Sequence, residues 1–143
     1  MKLFIVLLLF ILPIQWEPNF DTAKIRAKEK QQLILLNFSG SDWCGPCILF
    51  RKEYLESEAF TQMANDNLVL VNADFPRKKK NIPTPAIVQQ NDGLAEKYNK
   101  KGVFPLTLLL NAEGKVLKTW EGKPEESLTE WIAAVKSVCD KNK

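Results

Sequence analysis

LILLNFSGSDWCGPCILF, residues 33–50, decides how this chain is read. Its first six residues form an apolar run too short for a helix. Such a run predicts a strand buried on both faces, the kind found at the centre of a parallel sheet. SGSDW then makes a turn into a helix that starts near Cys44 and continues to about Ser57. Pro46 falls in the first helical turn, where a missing N–H costs nothing. Cys44 and Cys47 therefore sit at the carboxyl end of a central strand and the entry to a helix. Reactive groups and ligands of α/β folds gather at that end of the sheet.

Working outward, FDTAKIRAKEK (20–30) places Phe20, Ala23 and Ala27 at helical spacing. EAFTQMANDN (58–67) reads as a further short helix, and LVLVNADF (68–75) as a second strand. Beyond the polar loop PRKKKNIP, Thr84-Pro85 supplies an N-cap and an N1 proline for a helix through Lys97. Residues 106–110 and the stretch KVLKTW, joined by the turn NAEGK, predict an antiparallel hairpin. In SLTEWIAAVKSVC, one helical face carries Leu128, Trp131, Ile132, Val135 and Cys139. The order α-β-α-β-α-β-β-α predicts one α/β domain with a mixed central sheet and helices on both faces. Helices between the first strands imply parallel neighbours joined by crossovers.

The composition is that of a globular domain, with 45% apolar and 26% charged residues. A net charge of +3 gives no reason to expect nucleic acid as a partner. The one basic run, Arg77 to Lys80, reads as a solvated loop. At the N-terminus, Lys2 precedes ten unbroken apolar residues, Leu3 to Leu12. That is about half the length needed to span a bilayer and suits the apolar core of a secretory signal. Residues 1–15 are thus expected to be a signal peptide or a short uncleaved anchor, and residues 16–143 the domain. The chain is expected to be exported, periplasmic or secreted. Nothing in the sequence asks for a second copy, so a monomer is expected.

The chain has three cysteines and no histidine. A helix N-terminus offers unsatisfied N–H groups and partial positive charge, and both favour thiolate over thiol. Cys44 is thus expected to be the exposed, lower-pKa sulfur and Cys47 the less exposed one. Dithiol exchange needs that division: Cys44 attacks a substrate disulfide, and Cys47 resolves the mixed disulfide. Two other readings stand beside it. A structural zinc site needs four Cys or His ligands, and only Cys139 remains, so no metal is expected. A purely structural disulfide across so short a loop would constrain the unfolded chain little. Cys139 itself reads as a buried inert thiol, with an exposed, cross-linking sulfur as the alternative.

Trp43-Cys44-Gly45-Pro46-Cys47, set between a buried strand and a helix, resembles the thioredoxin superfamily. The resemblance covers roughly Phe20 to Lys141 and extends to the secreted bacterial members, given SGSDWC and the N-terminal segment. It implies a thioredoxin-like fold of about four to five strands. Trp43, Gly45 and Pro46 would flank the sulfurs. Pro105 would be the family's cis-proline, leaving the backbone of Phe104 free to pair with an extended substrate. The family's buried aspartate would fall on Asn37, or on Phe38 without a gap, and its lysine near Leu70. Neither Asn37 nor Phe38 ionises, so Asp42 or water is expected to move protons.

The expected function is thiol:disulfide exchange between the Cys44–Cys47 pair and protein thiols or disulfides, with no other cofactor. Pro46 favours the reducing end of the family's range. A reductant outside the cytosol would draw electrons from a membrane thiol protein. A disulfide oxidase or isomerase, and a non-catalytic peptide-binding module of the same fold, are the alternatives.

Overall fold

The computed structural model describes residues 13–143. The apolar run Leu3–Leu12, on which the export expectation rests, lies outside them. A sheet of four strands in the order β2-β1-β3-β4 forms the centre. β1 (Leu33–Ser39) is buried at every position. It pairs in parallel with β2 (Leu68–Asp74), from Leu33 opposite Leu68 to Ser39 opposite Asp74. On its other side runs β3 (Leu106–Leu110), antiparallel, with Asn37 opposite Thr107. β4 (Val116–Glu121) completes the hairpin at the edge, where only Trp120 is buried. Lys118 and Glu121 on this strand oppose edge-to-edge pairing with another chain. At the opposite edge, Trp16 bridges to Leu70 and the Glu17 amide donates to the Leu70 carbonyl at 2.7 Å.

Alternation along β1 feeds two cores. Leu33 and Leu35 face Phe50, Tyr54, Phe60 and Trp131. Ile34, Leu36 and Phe38 face Phe20, Ala23, Ala27 and Leu94. Helices α1 (Phe20–Lys30) and α4 (Pro85–Tyr98) therefore cover one face of the sheet. Helices α2 (Gly45–Phe50), α3 (Glu58–Asn67) and α5 (Leu128–Lys141) cover the other. The predicted architecture is the one observed, with helices on both faces.

Trp131 of α5 has no exposed surface, and the rings of Phe50, Tyr54, Phe60 and Trp120 surround it at centroid distances of 5.3–5.9 Å. All but the tilted Phe60 meet it edge-to-face, a geometry that adds to the stabilisation that burial alone gives. Trp131 is a core residue, as the apolar spacing predicted, and Trp120 is buried with it. Cys139 lies in the same cluster. Burial pushes its thiol up to about 11, which keeps it protonated at neutral pH.

Two local expectations differ from the structure. The helix predicted from Cys44 to about Ser57 changes after Phe50 into a π-helical turn, Arg51–Leu55. The wider turn still brings Tyr54 and Leu55 into the core, and the Tyr54 hydroxyl donates to the Glu126 carbonyl at 2.6 Å. Thr84 precedes α4 as expected, but its side chain makes no capping hydrogen bond. Pro85 in the first turn needs no such partner.

Candidate active site

The site is built where β1 ends. After Ser39, the Gly40 carbonyl accepts from the amides of Trp43, at 3.2 Å, and Cys44, at 2.8 Å. This turn delivers Cys44 as the N-cap of α2, with its Sγ accepting from the Cys47 amide at 3.3 Å. A thiolate at this position would accept the same hydrogen bond. Cys44 and Cys47 form a disulfide with a Cα–Cα distance of 5.2 Å. In this oxidised form both cysteines are enclosed. Cys44 is 6% exposed and Cys47 3%, so Cys44, expected to be the exposed member of the pair, is buried and only slightly more open than Cys47, because the disulfide draws its sulfur in against α2. Gly45 and Pro46 beside them are exposed, and Ile48 and Leu49, 39% and 48% exposed, extend an apolar rim along α2. Among the described residues, no group of three or more Cys, Asp or Glu is placed to hold a metal ion.

Trp43 links this turn to two other strands. Its indole Nε1 donates to the Phe75 carbonyl, just past β2, at 2.7 Å. Its ring meets Phe104 edge-on at 5.5 Å, and Phe104 in turn meets Phe75 at 5.6 Å. The Phe104–Pro105 peptide bond is cis, and Phe104 reaches the active-site turn through its contact with Trp43. Asn99 holds the approach to this pair. Its side chain accepts from the Val103 amide and donates to the Val103 carbonyl, both at 2.9 Å.

Gly40 is a residue that the motif alone does not single out. A Cβ there would stand 2.3–2.7 Å from three atoms of the Trp43 indole. Only glycine lets the ring lie this close against the backbone. Phe75 and Arg77 are likewise site-flanking residues that no spacing in the sequence signals. The Arg77 guanidinium lies over the Trp43 ring, 4.0 Å from its centroid.

The expectation that Asp42 moves protons meets a physical obstacle. Its carboxylate accepts from the Arg77 and Lys78 amides, both at 2.9 Å, and from the Asn81 side chain at 3.0 Å. The Arg77 amide, followed by Asn81, holds the acid down at about 2. An acid this strong stays ionised wherever thiols titrate, so it is a poor carrier of protons to sulfur. Asp42 is a clasp for the loop after β2.

Asn37 lies on the same side of β1 as Leu35, the side covered by α2, whereas Phe38 points to the other core. Asn37 thus stands on the face where the family's carboxylate was sought. Its amide donates to Asn72 at 2.9 Å and accepts from the Thr107 hydroxyl at 3.1 Å. These bonds satisfy a buried polar group with neutral partners. Leu70, in the lysine's place, is part of the apolar core.

Comparison with known proteins agrees with this geometry. A family model described as thioredoxin-like matches residues 15–112. The chain is 34% identical over 125 residues to a protein of Chlamydia pneumoniae named disulfide bond reductase DsbH, covering 87% of this chain and 72% of that protein. A solved structure titled DsbH oxidoreductase superposes with a TM-score of 0.81 at 32% identity, covering 90% of this chain and 86% of that one. A thioredoxin from Thermus thermophilus superposes with a TM-score of 0.67 at 15% identity, covering 92% of this chain and 91% of that one, a likeness of fold.

Two variants test the turn. Gly40→Ala is expected to destabilise the protein by about 1–3 kcal/mol through overpacking and to slow disulfide exchange by displacing Trp43. Denaturant unfolding and exchange rates unchanged from the parent would refute the close contact. For Asp42 the folded-state pKa is depressed, so its stabilisation is complete above the unfolded value of about 4 and vanishes as pH falls toward about 2. The parent should therefore lose its stability advantage over Asp42→Asn within that window. Stability curves running parallel down through it would show that the carboxylate charge does not hold the loop.

Proposed function

Since this chain belongs to the thioredoxin-like family and is a thiol-disulfide oxidoreductase, we propose that it works outside the cytosol as a reductant of protein disulfides. Similarity to a disulfide bond reductase over 72% of that relative's length carries the direction. Pro46 between the cysteines supports it.

In this reading the reduced protein starts with Cys44 as thiolate, its Sγ held by the Cys47 amide. That sulfur attacks one sulfur of a substrate disulfide. The substrate S–S bond breaks, a mixed disulfide forms on Cys44, and the departing substrate sulfur takes up a proton. Cys47 then loses its proton and attacks the Cys44 sulfur. The mixed disulfide breaks, the second substrate sulfur leaves as a thiol, and the Cys44–Cys47 disulfide remains. Two electrons have passed from the dithiol to the substrate.

Trp43, Phe104 and Pro105 form the wall against which the substrate backbone lies, with Gly45 and Pro46 keeping the opposite side open. Asn37 and Thr107 satisfy one another without supplying a proton, and Asp42 stays ionised. Protons therefore exchange between the sulfurs and solvent. Regeneration requires a thiol donor, and a membrane thiol protein meets that need for a protein exported through residues 1–15.

The division of roles has a direct test. Cys44→Ser is expected to drop reduction of a peptide disulfide to the uncatalysed background. Cys47→Ser should still attack and accumulate a mixed disulfide, visible on a non-reducing gel. Accumulation with Cys44→Ser instead would reverse the assignment of the two sulfurs.

A further inference from the structure

The basic run Arg77-Lys78-Lys79-Lys80 has no part in the exchange chemistry, yet the fold does not leave it as a free loop. Asp42, two residues before the first site cysteine, grips the amides of Arg77 and Lys78 and the side chain of Asn81. Behind that clasp the chain closes a 3-10 turn, Lys79–Asn81, with the Asn81 amide donating to the Lys78 carbonyl at 2.9 Å. The Arg77 guanidinium is stacked on Trp43, whose ring borders Phe104. The run is thereby fixed against Asp42 and Trp43, the turn that leads into the disulfide.

All four side chains are exposed, and among the described residues none of them forms an ion pair. Two carboxylates beside the loop are already engaged. Asp42 is spent on the loop's own N–H groups, and Asp74 accepts from the amide and hydroxyl of Ser41. Asp42 sets one negative charge against these four positive ones, so an excess of positive charge remains that an external anion relieves.

We propose that this clasped basic loop docks an acidic stretch of the partner protein, next to the cysteine whose disulfide Cys44 attacks. The proposal rests on the oxidoreductase reading and names the chemistry of the substrate it prefers. A disulfide seated on Cys44 brings its flanking residues to the Trp43–Arg77 side of the site, where charges act within the Debye length of about 8 Å. Charge complementarity of this kind raises the association rate and fixes the partner's register. The occupant is a protein segment because four adjacent cations are matched by a run of carboxylates flanking a disulfide, which a small uncharged disulfide does not carry. The net charge of +3 over the whole chain supplies no wider field for a polyanion.

The test uses the full chain and three peptides, each with one disulfide flanked by Glu, Gln or Lys, with hydroxyethyl disulfide as an uncharged control. At about 20 mM salt, kcat/KM should rank Glu above Gln above Lys, with about a ten-fold gap between Glu and Gln that closes at about 500 mM. Replacing Lys78, Lys79 and Lys80 together by Gln should narrow the Glu preference while leaving turnover of hydroxyethyl disulfide unchanged. Equal rates for the Glu and Gln peptides at low salt, with hydroxyethyl disulfide still reduced, would overturn the docking proposal alone. Failure to reduce any disulfide would overturn the functional reading and the docking proposal with it.

Discussion

Because β1 is buried on both faces from Leu33 to Ser39, the chain leaves the sheet at one fixed point and in one direction. Shifting its register by one residue would exchange the Leu35 side for the Phe38 side and disrupt both cores at once. The turn at Gly40 follows from that fixed exit, and the N-cap position of Cys44 follows from the turn. Trp43 then ties the exit of β1 to the residues just after β2 and just before β3, through Phe75 and Phe104. The dithiol is placed by the sheet and by this indole together, with α2 supplying the amide that faces the outer sulfur.

Charge around the site is arranged in an unusual way for a redox dithiol that must exchange protons. The one nearby carboxylate of the active-site turn, Asp42, is kept ionised by hydrogen bonds to a loop across from it. The buried polar pair beneath, Asn37 and Thr107, is neutral. Neither side chain of that pair carries an ionisable group, so Asp42 positions the loop by charge while the pair beneath supplies no proton. The same carboxylate that cannot shuttle protons orders four exposed cations at the rim.

The parts legible in the sequence are those set by short-range pattern. LILLNF reads as a doubly buried strand because every position but Asn37 is apolar, and WCGPC reads as a strand-to-helix dithiol because proline fits only the first turn. The apolar face of α5 correctly gave Trp131 and Cys139 as core. What was not legible depends on contacts between distant segments. Gly40 looks like an ordinary turn glycine until the Trp43 ring is seen against it. Asp42 looks like a free carboxylate until residues 77, 78 and 81, more than thirty positions away, fold onto it. The π-helical turn after Phe50 escapes periodicity because it shifts the register of a helix whose apolar residues still reach the core.

The central claim, that the pair passes electrons outward to substrate disulfides, is tested most directly by the reduction potential of Cys44–Cys47. Equilibration in graded thiol buffers, followed by alkylation of free thiols, gives that value. The account predicts a potential near or below about −250 mV, close to the reducing end represented by thioredoxin at about −270 mV. A value between about −180 and −120 mV, where isomerases and strong oxidants lie, would contradict it and reverse the direction of electron flow.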